Sequence, residues 1–178
     1  MTQITQLACT CGQVHIAVEG APIISTECHC NSCRAAGERL RHLPGASPYL
    51  QPNGGTHFVL YRKDRIRFLK GAELLRDFHL AADATTRRAV AGCCNTPVFL
   101  EFKNGHWLSL YASLWPENSL PALELRTMTS DLPAEVTLGH DVPSGTRPTL
   151  VFYAKLLAAW IAMGLRTPNI PVNTRLNA

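Results

Sequence analysis

The residues of this chain whose types and spacing could support chemistry are its seven cysteines, which fall into three clusters. The clusters are Cys9-Thr10-Cys11, then Cys28-His29-Cys30-Asn31-Ser32-Cys33, and finally Cys93-Cys94. Cysteines of a hydrophobic core usually occur singly among apolar neighbours, whereas these lie beside glycine, asparagine and serine, where the backbone can turn. Thiolates are soft ligands that select zinc, and tetrahedral zinc needs several of them at one point.

The spacing within the clusters favours metal ions that are shared between cysteines. A C-x-x-C segment, such as Cys30 to Cys33, brings two sulfurs to one metal ion. In a C-x-C segment of extended chain, such as Cys9 to Cys11, the middle residue points away and both sulfurs share a side. The middle cluster combines both spacings. We therefore predict that the cofactor is Zn2+, with one or two ions per chain.

Two other uses of the cysteines remain open, namely buried inert thiols and a thiol–disulfide switch between Cys30 and Cys33. The switch normally requires a thioredoxin-like strand–helix context, which the flanking sequence does not supply. His29 lies between two proposed ligands and should face the opposite way. We expect it at the surface or beside a ligand rather than on the metal. His79 and His106 lack ligand spacing to the clusters and are assigned no role.

Composition indicates a folded chain in a reducing compartment. The chain has 178 residues, of which 46% are hydrophobic and 17% charged, so it can bury a core and should not be disordered. The first eight residues have no basic start and no long apolar run, which predicts no signal peptide and a cytoplasmic location. The net charge of +4 is scattered rather than gathered in a basic stripe, so we predict no nucleic-acid partner.

The first two thirds of the chain are dominated by short alternating segments, which predict a β-rich core. An Asn104-Gly105 turn between two apolar segments predicts a hairpin. Residues 37–53 are punctuated by proline and glycine and are expected to form a loop or an insertion. The predicted strands cover residues 13–19, 56–61, 75–80, 86–90, 98–102 and 107–111.

The last third has a different character. Residues 120–149 are predicted to form an irregular proline-rich arm with one short strand near 123–128, followed by a helix over 150–165. That helix has only sixteen residues and contains Lys155, too short and too polar to span a membrane. It is expected to pack on its own sheet or on a second copy, which makes a homodimer a hypothesis. We accordingly divide the chain into a β domain, 1–115, and an arm with its helix, 116–178.

Several motifs resemble the glutathione-dependent formaldehyde-activating enzyme and centromere protein V family. The order C-x-C-G, then C-H-C-x-x-C-R, then a late cysteine followed by x-T-P is similar to the order of motifs in that family. The likeness covers residues 7 to about 102. The matching positions are Cys9, Cys11, Gly12 and Val14, then Cys28, His29, Cys30, Cys33 and Arg34, then Phe68, Leu69, Lys70, Gly71 and Arg88, and finally Cys94, Thr96, Pro97 and Val98.

The resemblance implies a mainly β, zinc-binding β-sheet fold of the formaldehyde-activating-enzyme type, here with a C-terminal α-helix. It implies a structural zinc site built from Cys9, Cys11 and the late cysteines. A second site, held by Cys28, Cys30 and Cys33, would keep one position open for a ligand. It also implies a carbon–sulfur lyase activity on adducts of formaldehyde with glutathione, a small thiol partner. An open position lets zinc lower the pKa of a bound thiol and polarise an aldehyde carbonyl.

The late motif departs from the family pattern. The family has C-x-x-C-G, whereas this chain has Ala91-Gly92-Cys93-Cys94-Asn95. Because neighbouring side chains diverge on an extended chain, Cys93 and Cys94 are not expected to reach one metal easily, and we prefer Cys94 over Cys93 as a ligand. Cys93 is then a displaced substitute for the missing first cysteine, a ligand of the central site or a free thiol. Two hypotheses remain open. The chain is a zinc-dependent lyase-like enzyme, which the central motif favours, or a non-catalytic, zinc-stabilised module for protein interaction.

Overall fold

The structure is a computed structural model that describes residues 3–172 and 174–176. Its longer helices are α1 (Asn31–Leu40) and α2 (Thr146–Ala162). The strands are β1 (Ile4–Ala8), β2 (His15–Glu19), β3 (Ile24–Cys28), β4 (Thr56–Arg62), β5 (Ile66–Lys70), β6 (Leu75–Phe78), β7 (Thr86–Ala91), β8 (Thr96–Phe102), β9 (Trp107–Tyr111), β10 (Leu125–Thr127) and β11 (Thr174–Arg175).

The strands form two sheets. The smaller sheet has the order β1-β2-β5, and all of its pairs are antiparallel. The larger sheet has the order β10-β3-β4-β9-β8-β7-β6-β11. Its inner pairs are antiparallel, whereas β10 pairs with β3 and β11 with β6 in parallel. The expectation of a mainly β fold with a C-terminal helix is thereby confirmed.

The main hydrophobic core lies between the two sheets. Side chains alternate along β4, because successive residues of a strand face opposite sides of the sheet. Val59 and Tyr61 pack in the core cluster that also contains Leu7 and Ile16 of the smaller sheet. Phe58 and Leu60 pack in a second cluster on the opposite face of the larger sheet. That second face is the one that carries the two helices.

Both helices lie on this second face of the larger sheet. The first, α1, buries Cys33, Ala36 and Leu40. The second, α2, contributes the buried Leu156, and Met163 is buried where the helix ends. The Nε2 atom of His106, in the turn between β8 and β9, lies 2.9 Å from the Leu156 carbonyl oxygen, which attaches the middle of α2 to the sheet.

The sequence-based elements agree with the structure except in a few places. The β8–β9 hairpin is confirmed. Helix α2 begins at Thr146, four residues before the predicted start at 150, because Pro148 fits the first turn of a helix. The predicted loop over 37–53 is wrong in its first four residues, which belong to α1. Gly37 packs closely against Leu50 there, and a Cβ at this position would require the Leu50 side chain to shift. The strands β1, β3, β5 and β11 and the helix α1 were not predicted.

Two predictions about the later part of the chain have different outcomes. The short strand near 123–128 is confirmed as β10, which joins the same sheet as β3. The division of the chain at residue 115 stays a prediction. Among the described residues, no helix has both the length and the apolar character that crossing a membrane requires.

Candidate metal centres

The first candidate metal site gathers four cysteines from two turns. Cys9 and Cys11 lie in the turn between β1 and β2, and Cys93 and Cys94 in the turn between β7 and β8. The four sulfurs all lie within 4.8 Å of one another. The Cys11 and Cys93 sulfurs are 3.3 Å apart, and those of Cys9 and Cys11 are 3.6 Å apart. Sulfurs that share a tetrahedral zinc are about 3.8 Å apart, so this donor set fits the ion.

The turn of the smaller sheet is shaped around the Cys9 sulfur. Gly12 has a φ of 68°, in the left-handed region that favours glycine, and its N–H donates to the Cys9 carbonyl at 2.9 Å. The N–H of Val14 donates to Cys9 Sγ at 3.3 Å. A backbone donor aimed at sulfur stabilises the thiolate form. The local fold therefore holds the Cys9 sulfur in position within the turn.

The adjacent cysteines reach one cluster because the backbone between β7 and β8 is turned rather than extended. The N–H groups of Cys94 and Asn95 both donate to the Ala91 carbonyl, at 3.2 and 2.8 Å, and Asn95 has a φ of 55°. The Cys93 and Cys94 sulfurs consequently lie 3.8 Å apart. The divergence expected of an extended chain does not apply here. The preference for Cys94 over Cys93 as a metal ligand stays a prediction. The sulfur–sulfur distances do not support it.

The environment of Cys94 favours its thiolate. Burial alone would raise the pKa of this thiol, but hydrogen bonds with Thr96 and with the backbone outweigh it and lower the pKa to about 6. The Cys94 sulfur lies 3.0 Å from Thr96 Oγ1, which also contacts Thr10 Oγ1 at 2.9 Å. These threonines link the two turns independently of the cysteines. The first site thus joins the smaller sheet to the larger one.

The second candidate site lies on the other face of the larger sheet. Cys28 is the last residue of β3, Cys30 caps the N-terminus of α1, and Cys33 lies in its first turn. Their three sulfurs lie within 4.8 Å of one another. Cys30 Sγ accepts the N–H of Cys33 at 3.3 Å, the usual contact of an N-cap side chain. Chain reversal between strand and helix is what brings the three thiols together.

Negative charge in this site is concentrated on Cys30. Hydrogen bonds from the Cys28 and Cys33 thiols lower the pKa of Cys30 to about 2, and the contact with Cys30 raises the pKa of Cys28 to about 11. The N-terminus of a helix also favours an anion. Three thiols of this kind can hold zinc and leave a fourth position for a ligand. The structure thus brings together all seven predicted ligands, in one group of four and one of three.

His29 is buried, so the expectation of a surface position is wrong. Its side chain has no exposed area, and its Nε2 lies 3.4 Å from Oε2 of the buried Glu27. It does not join the thiol group of its neighbours, as expected for a residue facing the opposite way. Buried polar side chains need partners, and the Glu27 carboxylate supplies the charge that faces this ring. His79 and His106 lie away from both thiol groups, beside Asp77 and Leu156 respectively.

Arg88 is a candidate functional residue that the sequence indicated only as a position matching the family. Its side chain is 1% exposed, and its Nη2 donates to Ser32 Oγ at 3.0 Å and to the Ser32 carbonyl at 3.2 Å. Among the described residues, its Nε and Nη1 have no hydrogen-bond partner, and no carboxylate lies within 4.0 Å of it. The available signal was an arginine inside a strand that is otherwise apolar towards its end, Arg88-Ala89-Val90-Ala91.

A cavity of about 500 Å³ opens beside the central thiols. Cys28, Cys30, Cys33 and Arg88 are among the residues that line it. The larger sheet forms its floor and α2 its roof, with side chains that are mainly apolar, among them Phe58, Leu60, Leu100, Trp107, Phe152 and Leu156. Ligand sites are typically concave, mostly apolar and supplied with few polar groups. The central thiols therefore face a space that can admit a small molecule.

Comparison with known proteins agrees with the central motif. Residues 4–43 match the sequence model of the glutathione-dependent formaldehyde-activating enzyme. The family resemblance is confirmed over this segment. It contains five of the seven cysteines, both those of the first turn and the three of the central site. The rest of the candidate machinery, including Arg88 and the roof of the cavity, lies outside the matched residues.

The comparison with solved structures shows a distant similarity. A crystal structure of a Rhodobacter sphaeroides protein is similar to this chain with 18% sequence identity and a TM-score of 0.47. The likeness covers 79% of this chain and 99% of the other. No curated protein sequence matches this chain significantly.

Proposed function

We propose that this chain is a zinc-dependent, carbon–sulfur lyase-like enzyme that acts on the adduct of an aldehyde with a small thiol such as glutathione. Cys28, Cys30 and Cys33 would hold the catalytic zinc. The observation that supports this most is that these thiols open directly into the cavity, whose volume of about 500 Å³ suits a small molecule. The matched family, described as glutathione-dependent and formaldehyde-activating, supports the substrate class.

Zinc at the central site would lower the pKa of an incoming thiol, so that the thiol is present as a thiolate at neutral pH. In the forward direction, the substrate thiolate adds to the carbonyl carbon of formaldehyde. One carbon–sulfur bond forms, the carbonyl π bond breaks, and its electron pair moves to oxygen. A proton from solvent then gives the hydroxymethyl thioether. The lyase direction reverses each step, so no oxidant or reductant is required.

Arg88 would stabilise the negative charge that develops on the substrate oxygen. Arg88 lines the cavity at its cysteine end and has two guanidinium nitrogens without a partner among the described residues. Donors that are fixed before the reaction stabilise an oxyanion more than mobile water does. Ser32 holds the third nitrogen, which fixes the orientation of the guanidinium. We assign Arg88 the stabilisation of the substrate oxygen.

Cys9, Cys11, Cys93 and Cys94 are proposed to hold a structural zinc. They join turns from two different sheets, and a fully sulfur-ligated zinc has no position for a substrate. Metal binding at such a site contributes directly to folding free energy. Because both sites need cysteine as thiolate, the proposed setting is a reducing compartment.

The decisive experiment follows formaldehyde exchange by NMR. Zinc-loaded protein is added to 13C-formaldehyde with glutathione and, in parallel, with phenylmethanethiol. We expect magnetisation exchange between hydrated formaldehyde and the adduct to exceed that of the protein-free mixture. The Cys30→Ser variant should lose the acceleration while still capping α1, since a serine hydroxyl is a good N-cap acceptor. Exchange no faster than the protein-free mixture with both thiols would remove the proposed reaction.

The alternative of a zinc-stabilised interaction module is favoured by one observation. Helix α2 exposes a stripe of large apolar side chains, with Leu150, Leu157 and Ile161 between 54% and 65% exposed. Exposed apolar patches often mark protein interfaces. A homodimer through this stripe would cover it, and a Leu157→Glu, Ile161→Glu double variant should then shift the light-scattering mass from dimer to monomer. A monomeric mass for the unaltered protein at micromolar concentration would exclude this dimer.

A further inference from the structure

The cavity beside the central thiols is poor in charge. Among the described residues that line it, Arg88 is the only one whose side chain carries a fixed charge. The other polar side chains are hydroxyls of serine, threonine and tyrosine, apart from the thiols themselves. Glutathione carries two carboxylates and one ammonium group at neutral pH. Moving such charges out of water is costly unless each meets a partner. Apart from the thiols that would hold zinc, this lining offers them one cation and no carboxylate.

The single cation, Arg88, lies beside the central thiols. Arg88 is anchored by Ser32, which lies in α1 between Cys30 and Cys33. Beyond the cysteines and Arg88, the lining includes the apolar side chains of Phe58, Trp107, Phe152 and Leu156. A ligand whose sulfur lies at the cysteines therefore projects its organic group away from charge and among apolar side chains.

The roof of the cavity is held in place by contacts of its own. Leu156 is 5% exposed, and its carbonyl oxygen lies 2.9 Å from His106 Nε2. The Nη2 atom of Arg62 donates to the Ala162 carbonyl at the end of α2, at 3.3 Å. Lys155 forms an ion pair with Glu124 beside β10. The apolar roof is thus a fixed wall of the cavity, and it lies well outside the residues that match the family.

We propose that the thiol accepted by this cavity carries an uncharged, apolar group of about the size of a benzyl ring, rather than the charged tripeptide glutathione. This inference rests on the proposed function only in placing the thiol sulfur at the central cysteines. The apolar group packs between Phe152 and Leu156 of α2 and Phe58 and Trp107 of the sheet. Burying it supplies binding free energy in proportion to its apolar area.

Direct binding tests this specificity separately from catalysis. Zinc-loaded protein is titrated calorimetrically with phenylmethanethiol and with glutathione. We expect phenylmethanethiol to bind at least about tenfold more tightly, because a benzyl group removes enough apolar area from water for such a ratio. Glutathione binding as tightly as phenylmethanethiol, or neither thiol binding, would overturn the inference.

Two single variants locate the bound group. Phe152→Ala removes a roof side chain that is only half-buried, so the fold should survive, and it should weaken phenylmethanethiol about tenfold while glutathione changes little. Leu157→Ala is the matched control, since Leu157 is 54% exposed on the same helix and does not line the cavity. Equal effects of the two variants would contradict the placement. Selective binding without accelerated formaldehyde exchange would refute the proposed reaction and leave this inference standing.

Discussion

The Nε atom of Arg126 donates to Oε2 of Glu27 at 2.6 Å, and this pair joins β10 to β3 next to the central thiols. Both side chains are buried, with 6% and 3% of their area exposed. Burial alone would raise the pKa of Glu27, but the facing His29 ring and the hydrogen bond from Arg126 lower it to about 2. The carboxylate is therefore ionised at neutral pH and depends on these partners. Through it, the C-terminal arm is attached to the strand that ends in Cys28.

Removing Arg126 should destabilise the fold strongly. Arg126→Ala leaves the buried Glu27 carboxylate with His29 as its remaining partner, and an uncompensated buried charge costs about 3–5 kcal/mol. Urea unfolding of zinc-loaded protein at neutral pH measures this loss. Adding Glu27→Gln to Arg126→Ala should recover part of it, since the charge is then gone. A loss below about 1 kcal/mol for Arg126→Ala would show that the pair contributes no more than a surface ion pair.

Gly71 is a position where the turn before β6 requires glycine. Its φ is 72°, and a Cβ would lie 2.3 Å from the Gln13 carbonyl oxygen, which belongs to the backbone and cannot move aside easily. Gly45 has a φ of 70° with nothing within 4 Å, so it is the matched control. We expect Gly45→Ala to cost about 1–2 kcal/mol from conformation alone, and Gly71→Ala to cost about 1–3 kcal/mol more. Equal unfolding midpoints for the two variants would contradict the close approach.

Metal content should distinguish the two groups of thiols. We expect two zinc ions per chain by elemental analysis, because groups of four and three thiols converge separately. Cys93→Ser and Cys94→Ser should each lower the content towards one and reduce stability, since both sulfurs lie in the same group. Cys30→Ser should also lower the zinc content towards one ion per chain, but it should leave the two sheets joined. Zinc content unchanged by Cys93→Ser would restore the preference for Cys94 that the sequence suggested.

The cysteine spacing predicted the convergence of the thiols because ligand geometry is local in the C-x-C and C-x-x-C segments. It argued against Cys93 and Cys94 reaching one metal ion together, although the family resemblance implied a site that includes both late cysteines. Their arrangement depends on the left-handed Asn95 and on two hydrogen bonds to the Ala91 carbonyl, which alternation patterns do not encode. The strands β7, β8 and β9 were located from short apolar segments separated by turn residues, such as Asn104-Gly105.

Elements buried on both faces were harder to predict. The strand β3 contains Ser25, Thr26 and Glu27, all buried, so its sequence resembles a polar loop. Helix α1 was not predicted because its second turn contains Gly37, a poor helix former that packs against Leu50. Arg88 and the cavity could not be found from sequence either, since they arise from contacts between β7, α1 and α2 that are distant in the chain.

Substituting lysine for Arg88 separates a hydrogen-bonding role of its guanidinium from a purely electrostatic one. Arg88→Lys keeps the positive charge but loses the planar set of donors that can face an oxygen while Ser32 is held. We expect formaldehyde exchange to fall about 100-fold, the usual loss when one fixed oxyanion donor is removed, with zinc content unchanged. Arg87→Lys is the matched control, because the neighbouring Arg87 pairs with Glu101 and does not line the cavity. Unchanged exchange in folded, zinc-loaded Arg88→Lys would mean that the charge alone matters, and that Arg88 only offsets the thiolates of the central site.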